Sequence, residues 1–299
     1  MIELKHVTKS YDKGGQPVVE DISFSVEKGK IHGLIGPNGS GKTTLIKCMT
    51  GILKVDAGEI LVDGQPVFEN PEVKKRIAYI PDDVFYFAQS NVRELARFYQ
   101  GMYPAFDRER FERLRDVFGI DDKKPIRKLS KGMQKQAAFW VALSQMPEVV
   151  ILDEPVDGLD PVMRRQVWSL LMSDVAERGT TVLVSSHNLR ELEDVCDYVG
   201  IMDKGKMLIE RELADLQQNI VKIQIAYPEG KGLPEGLNII HASSTGRLQQ
   251  LILRGSSDEL EQKLSASAPL FMDFLPLSLE EIFIYELGGV HSEIKNIIL

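Results

Sequence analysis

The stretch GPNGSGKTT, residues 36–44, has the residue types and the spacing that bind a chain of phosphates. Its glycines allow the backbone to wrap an anion, and the helix expected after it presents its positive end. Lys42 is expected to reach the β- and γ-phosphates, and Thr43 to hold Mg²⁺. The residues predicted to bind nucleotide here are Gly36, Asn38, Gly39, Ser40, Gly41, Lys42, Thr43 and Thr44. A chance match by a glycine-rich turn has odds of roughly one in a hundred.

Two acids follow a buried-looking apolar run in the stretch VVILDEP, residues 149–155. Ligands of α/β proteins lie at the carboxyl ends of such strands, so these acids could act on the same phosphates. Asp153 would hold Mg²⁺ directly or through water, and Glu154 would orient or deprotonate an attacking water. The competing interpretation is a strand followed by an acid that caps a helix. The presence of the phosphate loop favours the catalytic interpretation.

Three further motifs complete an ordered series. LSKGMQKQ, at residues 129–136, precedes the two acids, while DGLD at 157–160 and SSH at 185–187 follow them. This order and spacing resembles the ATP-binding subunit of an ABC transporter, over about residues 1–215. Lys131 stands where a second glycine is common in the family, which is a familiar variant among ABC-type drug and peptide exporters.

The resemblance implies that two subunits pair head to tail and trap two ATP molecules between them. The signature motif of one subunit would then face the phosphate loop of the other. The residues expected in this trans contact are Ser130, Lys131, Gly132 and Gln134. Ser130 and the amide of Gly132 would bind the γ-phosphate at the start of a helix.

The resemblance also implies roles for three residues outside these loops. His187 would contact the γ-phosphate and hold the attacking water beside Glu154, which makes Glu154, His187 and Lys42 the expected catalytic residues. Asp160, in the D-loop, would bridge the two subunits. Tyr11 matches the aromatic residue that stacks on adenine. Taken alone, Tyr11 would be an ordinary surface tyrosine and His187 a structural histidine.

Asp82 lies at the position where the family usually carries a glutamine that touches Mg²⁺ and the attacking water. A carboxylate can still ligate Mg²⁺, so Asp82 joins Thr43 and Asp153 as an expected metal ligand. Its negative charge beside the triphosphate should make nucleotide binding depend more strictly on Mg²⁺. The alternative is that Asp82 caps the next helix and water fills the gap.

Apolar runs and helical patterns alternate along the chain and must position these residues. Residues 30–35, 149–152 and 181–185 are predicted strands of a parallel sheet, and residues 42–51 and 161–178 are predicted helices. With the resemblance, the fold class is α/β, a P-loop NTPase core of ABC type with an inserted helical subdomain at about residues 87–147. Residues 1–215 are the expected ATP-binding domain, and residues 216–299 a small α+β accessory domain.

The aromatic residues Phe85, Tyr86 and Phe87 follow Asp82 closely. In the family, this region and the helices after it form a groove that receives short cytoplasmic helices of the membrane subunit. An aromatic loop suits such an interface, but three aromatic residues could equally belong to the core. The sequence leaves both possibilities open.

Composition narrows the partners and the compartment. The net charge of −8 argues against a general nucleic-acid binder, and two isolated cysteines, Cys48 and Cys196, are expected to be buried and reduced. We expect ATP and Mg²⁺ as cofactors, a separate integral-membrane subunit and a second ATP-binding subunit as partners, and a cytoplasmic location on the inner face of the membrane. The alternatives are an ABC ATPase without a transport role and a regulatory subunit with weak hydrolysis. A DNA-repair type is disfavoured, because only about 85 residues separate the phosphate loop from the signature and leave no room for a long coiled coil.

Overall fold

The computed structural model describes residues 2–285 except positions 13, 85, 88, 219, 230 and 283, and it describes the backbone alone at 216–218. Compactness divides the chain into two units, the first formed by residues 1–187 and 195–210 and the second by residues 188–194 and 211–299. The second unit is therefore not continuous in sequence. The predicted boundary at residue 215 stays a prediction.

The first unit contains two sheets and a group of helices. Its elements are β1 (Ile2–Lys9), β2 (Val19–Val26), β3 (Ile31–Ile35), α1 (Lys42–Met49), β4 (Ala57–Val62), β5 (Gln65–Pro66), α2 (Pro71–Lys74), β6 (Ile77–Ile80), α3 (Val92–Met102), α4 (Arg108–Phe118), α5 (Lys131–Ser144), β7 (Val149–Asp153), α6 (Pro161–Arg178), β8 (Thr181–Ser186), β9 (Tyr198–Asp203) and most of β10 (Lys206–Glu212).

The larger sheet has six strands in the order β10-β9-β3-β8-β7-β6, with parallel pairing from β9 through to β6. Every residue of β3, β7 and β8 is buried, as continuous apolar strands of a covered parallel sheet should be. Because these strands run in the same direction, their carboxyl ends lie at one edge of the sheet. The phosphate loop, the two acids and the SSH motif all begin at that edge.

The smaller sheet is antiparallel, in the order β2-β1-β4-β5. Its strand β2 shows the alternation of buried and exposed residues that is expected when one face packs on a core. A buried apolar cluster joins this sheet to α1 and to the larger sheet, through residues such as Ile22, Leu45, Met49 and Ile151. The phosphate loop is thus anchored at both ends by buried elements.

The helical subdomain predicted at about residues 87–147 contains three α-helices, and its bounds stay a prediction. Helices α3, α4 and α5 occupy it, and the described residues there form no strand beyond one isolated bridge between Asn91 and Pro125. Each helix begins with a side-chain cap, Asn91, Asp107 and Ser130 respectively.

The second unit is a small α+β structure, as predicted. Its elements are α7 (Leu213–Gln218), β11 (Ile220–Ala226), β12 (Ile239–Thr245), β13 (Leu248–Arg254), α8 (Ser257–Ser265), β14 (Phe271–Leu275) and α9 (Leu279–Ile282). The strands form an antiparallel sheet in the order β12-β13-β11-β14, and Leu260 and Leu264 of α8 belong to its buried cluster. Residues 188–194 belong here because the short 3-10 helix Leu189–Glu191 packs against α9. Arg190 also binds Glu280, and Glu193 accepts the amide of Leu279 at 2.8 Å.

Candidate functional site: a nucleotide site at the sheet edge

The phosphate loop connects β3 to α1, as the motif predicts. Two glycines are required by its backbone. Gly41 has φ 103°, and a Cβ there would lie 2.5 Å from the carbonyl oxygen of Val18. A Cβ at Gly36 would lie 2.3 Å from the carbonyl oxygen of Met202. Because Gly41 is the N-cap of α1 and carries no capping side chain, the positive end of the helix remains available to an anion.

Lys42 is buried with its ammonium inside this loop. Its Nζ donates to the carbonyl oxygens of Gly36 at 2.6 Å and Pro37 at 3.3 Å, and it lies 3.5 Å from Oε1 of Glu154. The buried hydroxyl of Ser40 has no hydrogen-bond partner among the described residues. A buried hydroxyl normally has a hydrogen-bond partner, so the unpaired Ser40 hydroxyl is consistent with a ligand that would bind it.

The remaining loop residues are arranged around this centre. Asn38, Gly39 and Thr43 are exposed, whereas Thr44 is buried. The Oγ1 of Thr44 lies 3.1 Å from the hydroxyl of Tyr11, whose side chain is otherwise largely in solvent, at 62% exposure. Tyr11 thus presents an aromatic face next to the loop, as stacking on adenine would need.

The acid pair at the end of β7 is held by a residue that the sequence reasoning missed. Ser185, on the neighbouring strand β8, donates its hydroxyl to Oδ1 of the buried Asp153 at 2.7 Å. The hydroxyl oxygen of Ser185 in turn accepts the backbone N–H of Glu154 at 3.1 Å. The available signal was a polar residue at the carboxyl end of a second predicted strand, in the SSH motif.

Glu154 lies between the lysine and the histidine. Its Oε2 is 3.0 Å from Nδ1 of His187 and also accepts the backbone N–H of His187 at 3.3 Å. An ionised carboxylate here would accept this hydrogen bond from the tautomer that carries its proton on Nδ1. Glu154 has φ 46°, in the left-handed region that a side chain rarely adopts, and such strain is typical of functional sites.

The signature residues lie at the start of α5, beside the D-loop. Ser130 caps this helix by accepting the N–H of Met133 at 3.3 Å, and Gln134 donates to the carbonyl of Leu129 at 3.0 Å. A Cβ on Gly132 would lie 2.6 Å from the carbonyl oxygen of Gly158, so the helix packs tightly on the loop. Within the described part of the chain, neither Ser130 nor the exposed Lys131 forms a hydrogen bond with the phosphate loop of its own subunit.

Asp160 of the D-loop is the N-cap of α6. Its Oδ1 accepts the amides of Val162 and Met163, both at 3.0 Å. Asp157, three residues earlier, offers a carboxylate oxygen that lies within 4.8 Å of ligand atoms of Glu154 and His187. These three residues are a different set from the metal ligands Thr43, Asp153 and Asp82 predicted from the sequence.

Asp82 follows β6 and pairs with a lysine of the signature helix. Its Oδ1 lies 3.2 Å from Nζ of Lys135. The helix-cap alternative is wrong, because the next helix, α3, is capped by Asn91 with a reciprocal hydrogen bond from the Asn91 amide to Glu94. Burial raises the pKa of Tyr79 on β6, and the negative charges of Asp153 and Asp82 raise it further. Both acids therefore lie close enough to Tyr79 to affect it electrostatically.

An apolar cavity of about 300 Å³ lies between β6, α3 and α5. It is lined by Ile52, Tyr79, Pro81, Val84, Tyr86, Leu95, Tyr99, Ile126, Gln134, Ala137, Ala138, Val141, Ala142 and Gln145. Of the aromatic loop, Tyr86 lines the cavity and Phe87 is 51% exposed, so Phe87 is not a core residue. Phe85 lies outside the described residues.

Comparison with known proteins identifies the family. The family described as ABC transporter matches residues 19–157. The ABC transporter ATP-binding protein YtrB of Bacillus subtilis is 34% identical over 97% of this chain and 99% of its own length. The chain belongs to the ABC transporter ATP-binding proteins. It is therefore an ATP-binding subunit and an ATPase of ABC type.

Other members of the family support this assignment. The bacitracin transport ATP-binding protein BcrA of Bacillus licheniformis is 29% identical over 97% of this chain and 98% of its own length. A solved ATP-binding subunit of an ABC transporter is 29% identical, with a TM-score of 0.67 over 72% of this chain and 91% of that one. The post-hydrolysis cassette MJ0796, at 20% identity and a TM-score of 0.63, shares the fold. Among the described residues, no helix is both long enough and apolar enough to span a bilayer.

Proposed function

We propose that this chain hydrolyses ATP at a site shared with a second ATP-binding subunit and thereby powers a membrane exporter. The observation that carries this proposal is the position of Glu154. Its carboxylate lies between the ammonium of Lys42, at 3.5 Å, and Nδ1 of His187, at 3.0 Å. The phosphate-binding Lys42, the candidate base Glu154 and the orienting His187 thus lie together beside the phosphate loop.

The residues divide the work of phosphoryl transfer. Lys42 and the N-terminus of α1 bind the β- and γ-phosphates, and Glu154 orients and deprotonates the water that attacks the γ-phosphorus. His187 holds the Glu154 carboxylate and contacts the γ-phosphate. The bond from the γ-phosphorus to the β-phosphate oxygen breaks, which releases ADP and phosphate. Catalysis rests mainly on positioning and on charge neutralisation.

Mg²⁺ fits the donors of this site. Thr43 offers an exposed hydroxyl and Asp153 a carboxylate, and these hard oxygen ligands are the kind that Mg²⁺ prefers. The ion would neutralise charge on the β- and γ-phosphates when bound. Ser185 keeps Asp153 oriented for that role through the hydrogen bond at 2.7 Å.

A second subunit would complete the site. Ser130 and Lys131 are exposed at the N-terminus of α5, where a helix end can bind an anion of another chain. We assign Ser130, Lys131, Gly132 and Gln134 to the nucleotide held by the second subunit, and Tyr11 to the adenine of the subunit's own nucleotide. Asp160 belongs to the D-loop, whose Gly158 packs against Gly132 of the signature helix, and we assign Asp160 to a bridging position between the subunits.

The cavity between β6, α3 and α5 is the proposed contact with the membrane subunit. It joins the Asp82 region to the helical subdomain, and exposed aromatic residues stand near it, Phe87 and Phe98, with ring centroids 5.2 Å apart. An apolar groove with aromatic residues at its rim suits an inserted helix. This docking would hold the chain on the inner face of the membrane.

The direction of transport is inferred from relatives. BcrA is named for bacitracin transport, and the linearmycin resistance ATP-binding protein LnrL of Bacillus subtilis is 30% identical over 90% of this chain and 86% of its own length. One name states transport of a compound and the other states resistance to one. We therefore propose that the membrane partner of this chain exports its cargo.

The test is the mass of Glu154→Gln in solution, by light scattering with and without Mg-ATP. The variant should bind ATP without hydrolysing it, so ATP should convert the monomer into a stable dimer. Glu154→Gln with Lys42→Ala should stay monomeric, and Glu109→Gln, at an exposed glutamate of α4, should keep its ATPase activity. A variant that binds ATP and stays monomeric would contradict a site made from two copies of this chain.

A further inference from the structure

Lys135 is a buried lysine at the centre of the candidate site. Among the described residues, only Lys42 and Lys135 are lysines that the fold buries, each with 5% exposure. A buried ammonium is costly unless hydrogen bonds and opposite charge compensate it. The sequence reasoning gave Lys42 a role and left Lys135 without one.

The ammonium of Lys135 joins three parts of the site. Its Nζ donates to the carbonyl oxygen of Glu154 at 2.8 Å and to Oδ1 of Asp82 at 3.2 Å. Lys135 itself belongs to α5, five residues after the cap Ser130. One cation therefore connects the signature helix, the acid after β6 and the backbone of the candidate base.

The hydrogen bond to Glu154 acts where the backbone is strained. Glu154 has φ 46°, and a left-handed glutamate needs outside support to keep that conformation. Lys135 binds the carbonyl of this residue, while Ser185 binds its N–H. The two contacts hold the peptide units on either side of the Glu154 Cα, from which the carboxylate reaches His187.

The ion pair of Lys135 with Asp82 balances a negative charge beside the candidate nucleotide site. Asp82 is 58% exposed, and it adds a negative charge to a region that already holds Asp153 and Glu154. Uncompensated, such a charge would repel a triphosphate. The ammonium of Lys135 compensates it from the buried side.

We propose that Lys135 is a positioning residue of the ATPase site, which neutralises Asp82 and fixes the backbone of Glu154. The inference rests on the proposed function. Asp82 and Lys135 then act as a unit, so an acid at this position is tolerated because the signature helix supplies a cation. A lysine with a purely structural role would be indifferent to the charge of Asp82.

The experiment compares nucleotide affinities by calorimetry at fixed ionic strength. The proteins are the parent, Lys135→Met, Asp82→Asn and the double variant, each measured with ATP in excess Mg²⁺ and with ATP in a chelator. Lys135→Met should weaken binding of Mg²⁺-free ATP by about tenfold, and binding of Mg-ATP less, because the free nucleotide carries more negative charge. The double variant should recover the Mg²⁺-free affinity to within about threefold of the parent.

Controls separate charge, hydrogen bonding and folding. Lys124→Met removes an exposed lysine that has no part in the site and should leave both affinities unchanged. Lys135→Gln keeps a hydrogen-bond donor for the Glu154 carbonyl but lacks the charge, so it should also bind Mg²⁺-free ATP more weakly than the parent. This variant should fold even if Lys135→Met does not. Urea unfolding measures the stability of each variant.

Two results would overturn the inference. One is an equal loss of affinity from Lys135→Met whether or not Asp82 is changed to Asn, which would show that the two residues act independently. The other is unchanged affinity in folded Lys135 variants. In either case the parent still binds ATP, whereas failure of the proposed function would appear as a parent that does not bind or hydrolyse ATP.

Discussion

His32, on β3, shows at the scale of a single residue how the buried sheet controls ionisation. Its ring lies between those of Phe24 and Tyr198, with centroid distances of 5.1 and 6.1 Å. Neither ring nitrogen has a hydrogen-bond partner among the described residues. Burial lowers the pKa of His32 to about 4, because the charged ring would lose its water.

This shift predicts a loss of stability in mild acid. The unfolded chain takes up a proton near pH 6.5, but folded His32 resists it until about pH 4, so stability falls as the pH drops through that window. The contribution is about 3 kcal/mol at most. His32→Phe should lose less free energy of unfolding between pH 7.5 and pH 5 than the parent, measured by urea titration. Parallel curves for the two proteins would refute the assignment.

Some residue positions could be predicted from the sequence and others could not. The phosphate loop and the acid pair are local motifs, so the sequence alone predicts a loop between β3 and α1, which begins at Lys42, and an acid directly after β7 at Glu154. The Asp82–Lys135 pair joins positions 53 residues apart, and no local pattern predicts which cation meets which acid. The role of Ser185 depends likewise on the pairing of β7 with β8.

At the scale of elements, an ion pair connects helix α4 of the helical subdomain to helix α6. Asp174, in the last turns of α6, is buried and accepts Nη2 of Arg110 of α4 at 2.7 Å. Arg178, one turn later, lies 3.4 Å from the same oxygen. The carboxylate thus compensates the guanidinium of Arg110, which links α4 to α6, and that of Arg178 within α6.

Removal of that carboxylate should destabilise the fold. Asp174→Ala leaves the buried side of Arg110 without its partner and should lower the free energy of unfolding by about 3 kcal/mol. The measurement is urea unfolding followed by circular dichroism. Arg110→Met combined with Asp174→Leu removes both charges and should recover most of the loss. A loss below about 1 kcal/mol in Asp174→Ala would mean that the pair behaves as a solvent-exposed one.

Predictions of elements succeeded where the sequence carries clear boundary signals, as in α6, which begins after Asp160 with Pro161 and ends before Gly179. The predicted helix at residues 161–178 has the bounds that the structure shows, and the predicted strand at 149–152 ends one residue before β7 does. Strands of the smaller antiparallel sheet are harder to predict, because β5 has two residues and β4 is exposed over its first half. Such strands are defined by their partners rather than by their own sequence.

At the scale of the whole molecule, the chain must pair with a membrane subunit and still remain a stable subunit by itself. Phe98 of α3 is 47% exposed and contacts Phe87, so its loss removes little buried surface from the isolated chain. An exposed aromatic residue at the rim of an apolar groove is, by contrast, a frequent anchor in protein interfaces.

Phe98→Asp should therefore separate assembly from hydrolysis. The purified chain should keep its ATP affinity and its unfolding free energy, while the transporter complex isolated through a tag on this chain should lose its membrane subunit. Glu109→Gln, on the neighbouring helix, is the matched control and should retain the subunit. A complex that survives Phe98→Asp intact would place the membrane contact elsewhere.

The division of the chain into units constrains how such proteins can be recombined. Residues 188–194 follow His187 directly, yet they pack with α9 and belong to the accessory unit. Truncation of the chain at residue 210 would remove α9 and so expose Leu189, which is now buried. To replace the second unit with that of a relative, two separate stretches of the chain must be exchanged together. One of them directly follows the candidate catalytic residue His187.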